Sequence, residues 1–180
     1  HTSPRNDRGI KGILPDLAKS SKEELQELGI QQIVYNMYVD DICVDASVPG
    51  AIPFDYNGQT WYFNNGMVSH FDSMIKSFNS YGIQVTMVLL NGGRSPYTQD
   101  LIHPTAVGGD CPGYALNVAD AAGVNHFKAV SAFLGQRYSG QTGCGQIDNW
   151  ILGNEVNART SWWYSSSTSL DYNVNIYVKA

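Results

Sequence analysis

The sequence predicts an α/β fold in which parallel strands alternate with helices. Three observations support this: apolar runs of strand length alternate with helix-like stripes, the runs lack a polar face, and the loops on the two sides of the strands differ in length. A helix that joins parallel strands returns the chain to the same end of the sheet, so such alternation is typical of α/β proteins. Residues 1–180 show no linker or repeat and are treated as one unit.

The helices are predicted from apolar residues that recur every three or four positions. The first begins at a capping box formed by Ser21 and Glu24, and it ends at Gly29. The second and third carry the stripes Met67, Phe71, Met74, Ile75, Phe78 and Phe127, Val130, Phe133, Leu134, Tyr138. A further stripe starts at Val174, just before the chain ends, so we expect a domain truncated at its C-terminal end.

Four strands are predicted, at residues 10–14, 33–39, 83–90 and 147–153, the first of them weaker. Their nearly continuous apolar character is typical of strands covered on both faces. The turns that enter the second and third strands are short, whereas the loops that leave them span residues 40–65 and 91–124. The first of these loops contains a predicted hairpin with Asn57-Gly58 as its turn. Long loops at the carboxyl ends of parallel strands are where such folds build functional sites.

Composition and charge exclude two classes of partner. The net charge is −5 and the basic residues do not cluster, which argues against nucleic acid. No run approaches the ~20 apolar residues of a membrane span. With eleven Tyr, four Trp and six Phe, the chain is rich in the aromatic residues on which neutral sugars stack, although secreted β-rich domains share this trait. Trp162 and Trp163 are candidates for such stacking, with plain packing as the alternative.

Cysteines and carboxylates give no sign of a metal site. The chain has three cysteines, at Cys43, Cys111 and Cys144, whose spacing matches no zinc motif. One disulfide, which would join Cys43 to Cys111, and three buried free thiols are both open. Asp40, Asp41 and Asp45 lack the spacing of a calcium loop. We therefore expect no metal and no other cofactor.

The residues with the clearest chemistry follow the fourth predicted strand. An apolar run leads into Gly153, and Asn154 and Glu155 then lie at its carboxyl end. Cleavage of a glycosidic bond needs a carboxylic acid to protonate the leaving oxygen, and in retaining enzymes the same group later activates water. The Asn154 amide can hydrogen-bond a sugar 2-hydroxyl. The alternatives are a solvated Glu155 that caps the next helix and an Asn154 that only forms a turn.

Four more polar residues are candidates for binding substrate. Asn36 and Asn91 come at the carboxyl ends of the second and third strands, where hydrogen bonds to local backbone are the alternative role. Arg94 and His103 lie in the long loop that leaves the third strand. A lone histidine in a loop more often has a structural role.

These features resemble retaining glycoside hydrolases of the large (β/α)8-barrel clan in which Asn-Glu ends the fourth strand. More narrowly, the chain looks like a bacterial family of glycosidase-like domains of unknown function, in Lys-Gly-Ile at residues 11–13, Glu-Leu-Gly-Ile at 27–30, Asn-Met-Tyr at 36–38 and the segment 149–157. The resemblance covers nearly the whole chain. It implies the first half of a TIM (β/α)8 barrel, about four βα units with long βα loops, since a whole barrel takes about 250 residues.

The resemblance also implies a function for the full-length protein. Glu155 would be the acid/base of a retaining glycosidase that acts on an oligo- or polysaccharide outside the cytoplasm, and the nucleophilic Glu would follow a seventh strand that residues 1–180 lack. The remaining half of the barrel would come from the same chain or a partner chain. Two alternatives stay open: a catalytically inactive carbohydrate-binding barrel, and a non-glycosidic α/β domain in which Asn-Glu is incidental.

Overall fold

The computed structural model describes residues 11–16 and 19–180. In chain order the elements are β1 (Gly12–Ile13), α1 (Lys22–Glu27), β2 (Gln32–Tyr38), α2 (Val39–Ile42), β3 (Cys43–Val44), β4 (Ile52–Tyr56), β5 (Gln59–Phe63), α3 (Asn65–Ser80), β6 (Gln84–Leu90), α4 (Ala121–Arg137), β7 (Asn149–Leu152) and α5 (Leu170–Lys179). Two short 3-10 helices, Pro96–Leu101 and Pro104–Ala106, lie between β6 and α4.

Four strands form a parallel sheet in the order β1-β2-β6-β7. The register pairs Ile33 of β2 with Val85 of β6, and Val88 of β6 with Ile151 of β7. A helix follows each of these strands along the chain. The predicted α/β fold, with parallel strands and intervening helices, is therefore confirmed.

The boundaries of the outer strands differ from the prediction. β1 is limited to Gly12–Ile13, and its predicted start at Ile10 lies outside the described residues. β7 begins at Asn149 rather than two residues earlier. The physical reason is local: the Asp148 carboxylate, instead of a strand carbonyl, accepts the Val85 amide hydrogen at 2.9 Å.

A second, antiparallel sheet in the order β3-β5-β4 interrupts the connection from β2 to α3. The predicted hairpin is confirmed, because Asn57 and Gly58 have positive φ angles of 52° and 76°, as a type I′ turn requires. The sequence did not predict β3 or α2, since elements of two and four residues leave no periodic pattern.

The main apolar core lies on one face of the parallel sheet, here called the helix face. Side chains alternate between the faces of a strand, and Ile33, Met37 and Val85 belong to this core. The predicted helix stripes supply its other side, in Leu25, Phe71, Met74, Ile75, Phe78, Val130, Phe133 and Leu134. A two-contact ion pair between Asp72 and Arg137, at 2.9 and 2.6 Å, joins α3 to α4.

The opposite face of the parallel sheet is polar toward its amino end. Gln32 donates to Thr86 Oγ1 at 2.5 Å, and Asn149 donates to the same oxygen at 3.2 Å. Gln84 is buried, yet its Oε1 has no hydrogen-bond partner among the described residues. Val88 is buried here too, outside the main core.

The strand β7 lies at the edge of the parallel sheet and is poorly covered. Trp150 and Ile151 are 40% and 44% exposed. An apolar groove of about 340 Å³ lies between β7 and α4, with Phe127 and Leu134 among the residues that line it. Exposed apolar edges favour association, so self-association or a need for further strands stays a prediction for this chain.

Three questions raised by the composition concern cysteines, metals and membranes. All three cysteines are free, with Cys43 buried and the other two half-buried, so the Cys43–Cys111 bridge is not formed. Within residues 11–16 and 19–180, no group of three or more His, Cys, Asp or Glu side chains is arranged to hold a metal ion. No helix of that part of the chain has the length and apolarity needed to cross a membrane.

Candidate functional site

The backbone bends sharply where the fourth parallel strand ends. Gly153 donates its N–H to the Leu89 carbonyl at 2.9 Å, which extends the β6–β7 pairing by one residue. Its φ of 74° favours glycine, and a Cβ there would lie 2.8 Å from the Trp163 ring. Both the conformation and the lack of space therefore require glycine at this position.

Glu155 follows this bend at the carboxyl edge of the sheet. Its side chain is exposed, and it makes no hydrogen bond or ion pair with any residue that the structure describes. Its φ of 43° lies in the left-handed region, which costs a non-glycine residue on the order of 1–3 kcal/mol. Its carbonyl accepts the Ala158 amide at 2.6 Å. The next helix, α5, is capped by Ser169, so Glu155 does not serve as its cap.

Asn154 and Asn36 are available for contacts with a ligand. Asn154 is half-buried and forms no hydrogen bond within the described residues. Asn36 is also half-buried and free of such bonds, but it lies two residues before the end of β2, below the rim of the sheet. Its register partner is Val88, which places the amide on the opposite face. Both residues remain candidates for binding.

Asn91 and His103 are engaged within the loop after β6. Asn91 donates to the Leu101 carbonyl at 3.0 Å and accepts from Gly93 N at 3.3 Å, so its amide serves the local backbone. His103 is buried, and its Nδ1 accepts from Thr105 N at 3.2 Å. Burial lowers the pKa of His103 against a smaller opposing effect of Asp120. These contacts favour the structural alternative for both residues.

The loops after β6 and β7 are hydrogen-bonded to each other along their backbones. Gly113 N donates to the Ser161 carbonyl at 3.1 Å, Tyr164 N to Gly113 O at 2.8 Å and Ala115 N to Tyr164 O at 3.1 Å. The Thr105 hydroxyl lies 3.0 Å from that of Ser165 and adds a side-chain link. The two loops thus form one layer above the carboxyl ends of the central strands.

The two tryptophans after Glu155 occupy different environments in this layer. Trp163 is 2% exposed and packs edge-on against Tyr177 at a centroid distance of 5.3 Å. The prediction that Trp163 offers a stacking surface to sugar is therefore corrected, because neighbouring side chains cover its ring. Trp162 is half-buried, so it is less enclosed than Trp163 and stays a candidate for stacking.

A polar cluster missed by the sequence analysis surrounds Arg94. Asp40 accepts from Gly92 N at 2.7 Å and from Arg94 Nε at 3.1 Å. The guanidinium lies over the Tyr38 ring, with 4.6 Å between the Arg94 Cζ atom and the ring centroid, and one of its NH2 groups approaches Asp41 at 3.5 Å. The available signal was the acidic pair after the second strand combined with Gly-Gly-Arg after the third.

The carboxyl edge of the sheet therefore carries an exposed, unpaired carboxylate at Glu155 and an arginine, Arg94, that is paired with aspartates. The Glu155 side chain is exposed and makes no contact within the described residues that would keep a ligand from reaching it. Asp40 and Asp41 on the same edge are tied to Arg94. A retaining glycosidase needs a second carboxylate roughly 5 Å from the first, and the buried Asp40 is not free for that role, whereas Asp41 is held only by a long contact with Arg94.

Comparison with known proteins gives a family and no activity. Residues 3–180 match the model of DUF5722, a family of unknown function. No curated protein and no solved structure matches the chain. Because the match covers nearly all 180 residues, the chain belongs to this family.

Proposed function

We propose that this chain, as a member of the DUF5722 family, supplies the acid/base and the first four strands of a retaining (β/α)8-barrel glycoside hydrolase. The observation that carries the proposal is Glu155: an exposed, unpaired carboxylate on a left-handed backbone, directly beyond the fourth parallel strand. Strained backbone that a fold maintains at such an edge is more common at functional sites than elsewhere. Active sites of barrel enzymes lie at this end of the strands.

The order of the strands supports half of a barrel rather than an open α/β sheet. Strands of a barrel neighbour one another in chain order, and β1, β2, β6 and β7 follow that order, apart from the antiparallel insertion. The outer strand β7 leaves Trp150 and Ile151 partly exposed, as expected of a strand that pairs with another. In the proposed enzyme, further strands from the same chain or a partner chain cover this edge.

The proposed mechanism has two steps. First, Glu155 donates a proton to the glycosidic oxygen while a carboxylate from the other barrel half attacks the anomeric carbon, so the C–O bond breaks and a glycosyl ester forms. Second, Glu155 takes a proton from water, and the water oxygen attacks the same carbon. The ester bond breaks, which frees the sugar and the nucleophilic carboxylate. Asn154 would hydrogen-bond the sugar 2-hydroxyl, and Asn36 and Trp162 would line the cleft. The substrate class is an oligo- or polysaccharide, and the location is extracytoplasmic.

The decisive experiment compares Glu155→Gln with Glu27→Gln in the natural protein that contains this chain. Glu27 is exposed at the end of α1 on the amino side of the sheet and is a matched control. Glu155→Gln should lower hydrolysis of natural oligosaccharides by about 10²- to 10⁴-fold, because the amide has no acidic proton to donate. Circular dichroism should show an unchanged fold.

Two further measurements separate acid/base loss from general damage. Aryl glycosides with good leaving groups should lose less activity in the first step, because they need little protonation. Azide should restore part of their turnover by attacking the glycosyl ester without base assistance. Near-wild-type activity of Glu155→Gln on a natural glycoside would refute the assignment. Sugar binding without any cleavage by the natural protein would favour the inactive carbohydrate-binding barrel, and neither binding nor cleavage would favour a non-glycosidic domain.

A further inference from the structure

We propose that Arg94 and Asp41 form a subsite selective for neutral sugars that carry adjacent hydroxyl groups, as opposed to uronic acids. This inference rests on the proposed function, since it names the substrate class of the same proposed site. The starting observation is that Arg94 is anchored by a buried carboxylate and yet remains largely exposed. Its Nε contacts Asp40 Oδ2 at 3.1 Å, while its side chain as a whole is 61% exposed.

Arg94 is fixed before any ligand arrives. The Asp40 side chain is 1% exposed, and its second oxygen accepts from Gly92 N at 2.7 Å, so the carboxylate is a rigid anchor. The Tyr38 ring supports the guanidinium from below. A Cβ at position 92 would lie 2.5 Å from the Asp40 carboxylate and 3.0 Å from Arg94 Nε, so the cluster depends on glycine there. A preorganised donor loses less conformational freedom when it binds.

The cluster lies where a sugar bound at Glu155 would extend. Tyr38 is the last residue of β2, Arg94 follows β6, and Glu155 follows β7, all at the carboxyl edge. Tyr38 is in register with Leu90 and outside the helix-face core, which places the supported guanidinium over the opposite face. Neighbouring strands are ~4.8 Å apart. On this spacing, an oligosaccharide of two or three units is long enough to reach from the end of β7 to the ends of β6 and β2.

Charge selects the kind of sugar. Within the cluster, Arg94 brings one positive charge, whereas Asp40 and Asp41 bring two negative ones. A uronate carboxylate placed here would meet this net negative charge and compete with Asp40 for the same guanidinium. A pair of adjacent hydroxyls fits better, because one oxygen accepts from the guanidinium while the other hydroxyl donates to Asp41. The Arg94–Asp41 contact is long, 3.5 Å, and Asp41 is 41% exposed, so both groups can turn to a ligand.

The test measures binding, so it does not depend on turnover. Calorimetric titrations of the natural protein would use xylo-, cello- and mannotetraose as neutral probes and tetragalacturonate as the acidic probe. At least one neutral tetrasaccharide should bind more tightly than tetragalacturonate. Arg94→Lys keeps the charge but loses the planar fork, so the affinity for the neutral probe should fall about tenfold to a hundredfold. Asp41→Asn should narrow the preference by raising the affinity for tetragalacturonate.

The controls keep this test separate from that of the proposed function. Asp171→Asn removes an exposed carboxylate of α5 and should leave both affinities unchanged. Thermal melting confirms that each variant is folded, and Asp41→Asn gives an independent result if Arg94→Lys is unstable. Unchanged neutral binding in Arg94→Lys, tighter binding of tetragalacturonate by the wild type, or no binding of any probe would overturn the subsite. Full hydrolysis by Glu155→Gln would overturn the acid/base assignment while leaving the binding result intact.

Discussion

The two faces of the parallel sheet differ in how fully they satisfy their own side chains. On the helix face, Ile33 and Met87 are 0% exposed and pack among apolar helix stripes. On the opposite face, Gln32, Gln84 and Asn149 occupy comparable positions, and the Gln84 Oε1 atom is buried without a partner. The helix face is a closed core, whereas the opposite face has hydrogen-bonding capacity that the described residues do not use.

This difference indicates where stability and function reside. Burial of apolar area stabilises a fold by ~25 cal/mol per Å², so the helix face dominates the free energy of unfolding. A buried polar atom without a partner costs on the order of 1–3 kcal/mol, which the opposite face bears unless another segment supplies a donor. The same face leads at its carboxyl end to Tyr38 and Arg94. The face that contributes less to stability is thus the one that carries the proposed subsite.

The largest expected effect compares two neighbouring residues of β2 that point to different faces. Ile33→Ala should lower the free energy of unfolding by about 2–5 kcal/mol, because it leaves a cavity in the closed core. Val34→Ala, at a half-buried position of the opposite face, should cost only about 1 kcal/mol. Urea unfolding followed by circular dichroism gives both values. Equal losses in the two variants would show that the faces contribute alike.

A smaller effect compares two glutamines within the opposite face. Gln32→Met removes the hydrogen bond to Thr86 and should cost about 0.5–1.5 kcal/mol. Gln84→Met removes a buried oxygen that has no partner, so the free energy of unfolding should stay the same or rise by up to about 1 kcal/mol. The same urea titrations compare them. A loss for Gln84→Met as large as that for Gln32→Met would mean that Gln84 already has a donor.

The smallest expected effect is the pH dependence of the free energy of unfolding that His103 causes, since it involves one proton. His103 lies in the loop after β6, at the carboxyl edge of the sheet. The folded-state pKa of His103 is lowered by burial, whereas an unfolded histidine has a pKa of about 6.5. Below that value the unfolded state binds a proton that the folded state does not, so stability falls from about pH 6.5 toward the lower folded pKa. His103→Asn keeps an acceptor for Thr105 N without a titrating ring and should flatten this slope. Thermal melts between about pH 5 and 8 measure it, and an unchanged slope in the variant would assign the proton elsewhere.

The larger elements of the fold could be predicted because their patterns are long. The stripes of α3 and α4 repeat over 16 and 17 residues, and all seven residues of β6 are buried, with apolar side chains from Met87 to Leu90. The short elements could not be predicted in the same way. β3 and α2 depend on pairing with β5 and on the turn after Tyr38, which are tertiary effects without a local signature.

The residues of the candidate site also differ in whether a local sequence pattern or a tertiary contact determines them. The position of Glu155 beyond the fourth strand could be predicted because a carboxylate after a glycine-terminated strand is a local pattern, whereas its role stays a prediction. Asp40 and Arg94 were 54 residues apart in sequence, and no spacing rule joins them. The sequence left sugar stacking and plain packing open for Trp163 for a related reason: the choice depends on Gly153 and Tyr177, which contact it only in the folded chain. Residues whose role is set by distant partners are the ones that sequence patterns miss.

The hydrogen bonds between residues 113–115 and 161–164 also bear on how this protein can diversify. The loops after β6 and β7 share backbone bonds, so an insertion or deletion within either paired segment would leave amide groups of the other unpaired. The two loops are therefore expected to be inherited and exchanged together, as one segment from the end of β6 at Leu90 to the start of α5 at Leu170. Recombination that takes both loops together preserves their common layer, whereas a crossover between them mismatches it. Variation in ligand preference along a lineage should accordingly appear in coordinated steps on the two loops.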